Sequence, residues 1–269
     1  MIDKALAAPK VQIALDPSTN FSGWPTQKIS IGAGAGAGSA GLANRGLGNE
    51  GLYIEKAKPY EGYFFASSAK PVTLEARIET TDGKVLASQQ FKHTPPASLA
   101  GSNPGFVQHK FTMTPTEGTE CVGIAPGSDP TIHCTNNPGT AHVCINCGAQ
   151  FTIAAVAEPS AAVEVSIAYV VLQPGDWGRF QGLSARKDVA DTLKDMGIKI
   201  IRLGGSFCSV GKDNGAYYQW QKWTGPVWER PSIGAHWDSY GGHAYNLIGG
   251  WGMFEMIDYA GWCPSSVAC

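Results

Sequence analysis

The sequence predicts a mixed fold: an antiparallel β-sandwich followed by an α/β passage of the kind found in a barrel or an open sheet. Three observations predict it. Between residues 47 and 172, apolar side chains recur with a period of two in short runs separated by turn signals. At Pro174-Gly175 the pattern changes, and a helical periodicity over 184–196 leads into the apolar run Ile198-Lys199-Ile200-Ile201-Arg202-Leu203-Gly204-Gly205. The composition agrees: 34 Gly, 17 Pro and 16% charged residues in a 269-residue chain that is 43% hydrophobic suit a loop-rich, β-heavy protein with a real core.

Charge narrows the function classes. A net charge of −2 with no long basic run excludes a phosphate-backbone partner, which needs concentrated Lys and Arg. The longest apolar stretch, 153–172, is broken by Glu158, Pro159 and Glu164 and is too interrupted to span a bilayer. The first ten residues have no apolar h-region and so do not read as a signal peptide. The cysteines point the other way: Cys121, Cys134, Cys144 and Cys147 cluster, as in a secreted parent protein, although ordinary cytosolic thiols are the plainer reading.

Residues 1–43 read as an irregular segment. It has a possible strand at 11–15, scattered prolines (Pro9, Pro17, Pro25) and Asn20-Phe21-Ser22, which fits the N-glycosylation acceptor, although so short a pattern is usually incidental. Gly32-Ala33-Gly34-Ala35-Gly36-Ala37-Gly38-Ser39-Ala40-Gly41 reads as a flexible connector, or as a tight strand if the alternation packs. Residues 44–173 form the sandwich. Tyr60-Glu61-Gly62-Tyr63-Phe64-Phe65-Ala66 looks like a strand. Val72, Leu74, Ala76 and Ile78 alternate cleanly on one face, and the turn Asp82-Gly83 leads into 84–91, a hairpin signal. Over 106–113, Phe106, Gln108 and Lys110 oppose Val107, His109 and Phe111. Further strands fall at 151–156 and 163–172. Residues 174–269 open with Ser184 as N-cap of a helix whose Val189, Leu193 and Met196 share a face. Gly197 follows as the C′ residue. The strand and a loop rich in Tyr and Trp come next, then a second helical pattern at 251–260.

The motifs now on the page resemble the glycoside hydrolase family 51 α-L-arabinofuranosidases. Asn44-Arg45-Gly46-Leu47-Gly48-Asn49-Glu50-Gly51-Leu52-Tyr53 with Tyr60-Glu61-Gly62-Tyr63-Phe64-Phe65-Ala66 is similar to the sugar-binding-module-like sandwich inserted in the longer members. Gly182-Leu183-Ser184-Ala185-Arg186-Lys187-Asp188-Val189-Ala190 resembles their first barrel helix. Arg202-Leu203-Gly204-Gly205-Ser206-Phe207, Tyr218-Gln219-Trp220, Gly225-Pro226 and Glu229-Arg230-Pro231 resemble their second strand and its loop. Trp251-Gly252-Met253-Phe254-Glu255-Met256 resembles the next helix start. The resemblance implies a carbohydrate-binding-module-like jelly roll followed by an incomplete (β/α)8 TIM barrel, and a parent that removes terminal α-L-arabinofuranosyl groups with retention. Retention needs two carboxyl groups about 5–5.5 Å apart. The acid/base glutamate, in a Gly-Asn-Glu context, and the nucleophile have no matching positions in these 269 residues, so the chain is expected to be inactive and no residue is assigned as catalytic.

By the same resemblance Arg202, Ser206 and Trp251 bind substrate, and Glu229, Arg230 and Trp220 brace the loop. Arg202 stands out on its own terms too, since a cation ending an apolar strand is costly unless paired. Gly48-Asn49-Glu50 carries the letters of the acid/base motif but lies ahead of a sandwich strand and reads as a structural turn. Cys121, Cys134, Cys144 and Cys147 are disulfide candidates. Only one Cys-x2-Cys dyad is present, where structural zinc sites pair two, and disulfides, zinc and free thiols all stay open. No metal or cofactor is expected. The implied partner is an arabinose-containing polysaccharide or oligosaccharide, and the implied location of the parent is extracellular. A stand-alone carbohydrate-binding sandwich without catalysis is the alternative.

Overall fold

The computed structural model describes residues 10–96, 103, 105–125, 128–129, 131–132, 144–158, 160–183, 185–198, 200–201, 226–229 and 263–264. The chain divides into two units, Met1–Leu172 and Gln173–Cys269.

The first unit is an antiparallel β-sandwich. One sheet has five strands in the order β1-β2-β11-β4-β7: Val11–Phe21, Trp24–Ile31, Val163–Pro174, Tyr60–Ser67 and Val107–Met113. The other has four in the order β3-β10-β5-β6: Ser39–Asn44, Ala149–Val156, Val72–Thr80 and Val85–His93. Sequence neighbours pair as hairpins, with β1 against β2 and β5 against β6. The late strands β10 and β11 insert between early ones, as sandwiches commonly require. A short pair, β8 (Val122–Ile124) and β9 (Cys144–Asn146), stands apart.

The expectation of an irregular segment over 1–43 is corrected by this topology. The segment supplies β1, β2 and most of β3, so a sandwich cut at residue 44 would lose three strands. Pro17 is tolerated because it lies in the register shift between Asp16 and Asn20 of β1, an edge strand. Gly32–Gly38 forms turns, and Ala40, Gly41 and Leu42 then run as a strand against β10. The glycine is required there: a Cβ on Gly41 would lie 2.1 Å from the Ile153 carbonyl oxygen.

Alternation builds the core between the sheets. Tyr60, Phe64 and Ala66 of β4 face inward with Phe111 and Met113 of β7. From the other sheet come Leu74, Ala76 and Ile78, and all of these are buried. Ring contacts cross the gap at Phe64–Phe91 (5.3 Å) and Phe111–Phe151 (5.4 Å). His109 stacks on Phe64, and its ring nitrogen lies 3.0 Å from that of His93 on β6. Strand β10 is buried on both faces. Its polar residues are satisfied there: the buried Glu79 carboxylate accepts from Gln150 Nε2 (3.0 Å) and Thr152 Oγ1 (2.6 Å), and Arg77 lies 3.4 Å away.

Cys121 and Cys147 form a disulfide one register step beyond Val122↔Asn146, at the base of β8–β9. Cys144 is disulfide-bonded as well, while Cys134 lies outside the described residues. Among the described residues no group of three or more His, Cys, Asp or Glu could hold a metal ion, and Cys134 is not one of those residues. The Cys121–Cys147 bond closes a loop of 26 positions. Replacing both cysteines by Ser should lower stability by about 3 kcal/mol, read as the shift in denaturant midpoint.

In the second unit, α1 spans Lys187–Asp195. Its N-cap is Arg186, which makes no side-chain cap bond; Ser184, the expected cap, lies outside the described residues. Gly197 sits at φ 74 and its N–H donates to the Lys194 carbonyl, closing the helix as expected. A small core joins Phe180 and Ala190 with Ala185, Leu193 and Ile198. Strand β12 (Ile200–Ile201) pairs in parallel with β13 (Cys263–Pro264). No described helix is long and apolar enough to cross a membrane.

Candidate functional site

The outer face of the five-stranded sheet carries a cluster of aromatic side chains. Because Phe64 points into the core, its neighbours Tyr63 and Phe65 point out. There they meet Phe21 from the end of β1, Phe106 just before β7 and Tyr169 of β11. Ring centroids lie 4.6 Å apart for Phe21–Phe65, 5.2 Å for Phe21–Phe106 and 6.1 Å for Phe21–Tyr169. Tyr63 and Tyr169 lie parallel, 6.2 Å apart with a 6° interplanar angle. Tyr169 reaches this position through a left-handed backbone, φ 46, within β11. Phe21 and Phe65 are buried, whereas Tyr63, Phe106 and Tyr169 keep partial exposure. The result is an aromatic row with a buried base and a half-open surface.

Polar groups flank the row. Gln108 pairs with Phe65 in register, and its Nε2 is buried with no hydrogen-bond partner among the described residues. Lys110, opposite Tyr63, is exposed. At the end of the sheet where β11 begins lies a groove of about 390 Å³, whose lining includes Asp16, Thr19, Lys28, Ser68, Lys70 and Glu164. Lys28 and Glu164 form an ion pair at 3.2 Å. The hydroxyls of Ser18 and Thr19 hold the Asp16 carboxyl below the usual carboxylate range. The groove offers hydrogen bonds and charge, and no aromatic ring is among its lining residues.

The residues expected from sequence to bind substrate, Arg202, Ser206 and Trp251, lie outside the described residues, as do the loop residues Arg230 and Trp220. Glu229 is described: it ends the one-turn 3-10 helix Val227–Glu229 and is exposed. The Gly48-Asn49-Glu50 letters have a structural use. Gly48 and Asn49 take left-handed backbones, Asn49 Nδ2 donates to the Thr131 carbonyl, and the Glu50 carbonyl accepts from the Cys147 N–H. Sequence reasoning missed the aromatic row. Its signal was the Tyr63/Phe65 alternation in β4, which leaves two large rings on the face opposite the core.

No family model matches the chain, and no curated protein is similar to it. Among solved structures, the chain is similar to an arabinose-bound MgGH51 α-L-arabinofuranosidase, at 20% identity and a TM-score of 0.67, over 95% of this chain and 35% of that one. It thus spans about a third of that enzyme's length, and the likeness is one of fold. Weaker likenesses are to a chain described under CBM4 structure and function and to the family 30 carbohydrate-binding module of a cellulosomal cellulase of Clostridium thermocellum. The first has 16% identity, a TM-score of 0.38 and coverage of 62% of this chain and 92% of that one. The second has 9% identity, a TM-score of 0.36 and coverage of 64% and 90%.

Proposed function

We propose that this chain is the sandwich and opening barrel portion of a retaining glycoside hydrolase that removes terminal α-L-arabinofuranosyl residues from extracellular polysaccharides. The observation that carries the reading is the common fold with the arabinose-bound enzyme over 95% of the chain. Two features support it. The helix α1 followed by the parallel pair Ile200–Ile201 and Cys263–Pro264 is the kind of step from which a (β/α)8 barrel is built. The disulfide fits an oxidising, extracellular setting. On this reading residues 44–173, joined by β1 to β3, form the module-like sandwich, and residues 174–269 begin the barrel. Arg202, Ser206 and Trp251 line the sugar pocket, with Glu229, Arg230 and Trp220 bracing its loop. The 269 residues bind sugar but do not cleave it, because neither catalytic glutamate is among them.

Sequencing the transcript past the codon for Cys269 tests the parent. The reading expects a continuation encoding a Gly-Asn-Glu strand end. A stop codon there would contradict it and leave the second reading, a stand-alone carbohydrate-binding sandwich, which the aromatic row on the outer face favours independently.

In either reading the row stacks on the CH-rich faces of sugar rings, and the Gln108 amide meets a hydroxyl. Tyr63→Ala removes one half-exposed ring and should weaken oligosaccharide binding about tenfold, about 1.4 kcal/mol, measured by calorimetry.

A further inference from the structure

The acceptor pattern Asn20-Phe21-Ser22 is placed where a glycan can stand. Asn20 is the next-to-last residue of β1, and its side chain is exposed. Phe21, the next residue, is buried in the outer aromatic row, so strand alternation turns Asn20 away from that row. Ser22 (φ 49) and Gly23 (φ 85) form the two-residue turn into β2, with both central residues left-handed as a type I′ hairpin requires. Asn103 holds this tip: its Oδ1 accepts from the Ser22 N–H at 2.6 Å, and its Nδ2 donates to Ser22 Oγ at 3.2 Å.

Two independent observations say why the site would be used. The Cys121–Cys147 disulfide, with Cys144 also oxidised, is the chemistry of a compartment that installs N-glycans too. And β1, 11 residues long, is the edge of the five-stranded sheet, with Leu15 58% exposed on it. Pro17 and the register shift between Asp16 and Asn20 interrupt this edge, and the regular stretch 11–16 is what remains open to pairing with another chain.

We propose that Asn20 carries an N-linked glycan that stands at the hairpin tip and blocks edge-to-edge pairing of β1. The donor is a lipid-diphosphate-linked oligosaccharide. Asn20 Nδ2 attacks its anomeric carbon, a C–N bond forms, the C–O bond to the diphosphate breaks, and the lipid diphosphate leaves with the electron pair. The displaced Nδ2 proton passes to a carboxylate of the transferring enzyme. Because Asn103 occupies Ser22 in the folded chain, transfer precedes hairpin closure.

The test is secretion of the full chain from yeast, followed by endoglycosidase treatment and mass spectrometry of the Asn20 peptide. One glycan is expected on that peptide, lost in Asn20→Gln and in Ser22→Ala and retained in Ser22→Thr. Wild-type chain secreted without a glycan, or a glycan that persists in Asn20→Gln, overturns the assignment. Sedimentation reads the edge-blocking role: enzymatically deglycosylated chain should form oligomers that the glycosylated chain does not, and identical sedimentation of the two overturns that role.

Discussion

Phe64→Ala should cost about 3–5 kcal/mol of stability, the range for emptying a buried aromatic site. Phe64 has no exposure, projects from the central part of β4 and touches both sheets' aromatic groups, with Phe91 at 5.3 Å and His109 at 5.2 Å. The site has little room to collapse. The adjacent inward position on β4 is Gly62, where even a Cβ would come within 2.0 Å of the Val171 carbonyl oxygen. The backbone of β11 is therefore already in close approach beside this position. A denaturant midpoint that falls with an unchanged slope is the expected signature. A loss below about 1 kcal/mol would mean that Phe64 is not part of a packed inter-sheet core.

Acid should destabilise the sandwich through the His93–His109 pair. Burial first, then the neighbouring His109, pushes His93 down from 6.5 to about 4, and burial pushes His109 down. His93 has no exposure, and one ring nitrogen donates to the other across 3.0 Å, an arrangement that needs at least one neutral ring. As pH falls below about 6.5 the unfolded chain takes up protons at these residues and the native chain does not. Stability is therefore whole above about pH 7, falls as pH drops, and reaches its full loss from this source near pH 4. For His93 the loss is on the order of 3 kcal/mol. Urea midpoints measured from pH 7 to pH 4 should fall in the wild type and fall less in His93→Phe. Equal slopes in the two proteins would remove the histidine pair as the cause.

Sequence showed most clearly the strands whose neighbours are local. Val72-Thr73-Leu74-Glu75-Ala76-Arg77-Ile78 alternates and hydrogen-bonds to its hairpin partner, so pattern and pairing coincide. It showed least where structure depends on distant contacts. The β1–β2 hairpin was hidden because Pro17 and Pro25 break the pattern, and the edge position that excuses a proline is a property of the whole sheet. Between the flexible connector and the tight strand that the Gly/Ala alternation allowed over 32–41, the deciding reason for β3 lies in β10, in the close approach of Ile153 to Gly41. His109 shares a face with Val107 and Phe111 in the sequence, an apolar face that signals the core. Its partner His93 comes from the other sheet, a pairing no local pattern encodes. The disulfide followed the cysteine cluster, but which cysteines join was decided by the β8–β9 register.

The assignment of a sugar-binding surface on the sandwich rests on the outer aromatic row. Calorimetric titration of the full 269-residue chain with arabinan and arabinoxylan oligosaccharides, with the products analysed for free arabinose, tests it. The expected result is saturable binding that Tyr63→Ala weakens, with no arabinose released. Absence of binding to any of these glycans would contradict the assignment of the row as a sugar surface. Release of arabinose that Arg202→Ala abolishes and Glu50→Ala leaves intact would contradict the claim that the chain binds without cleaving.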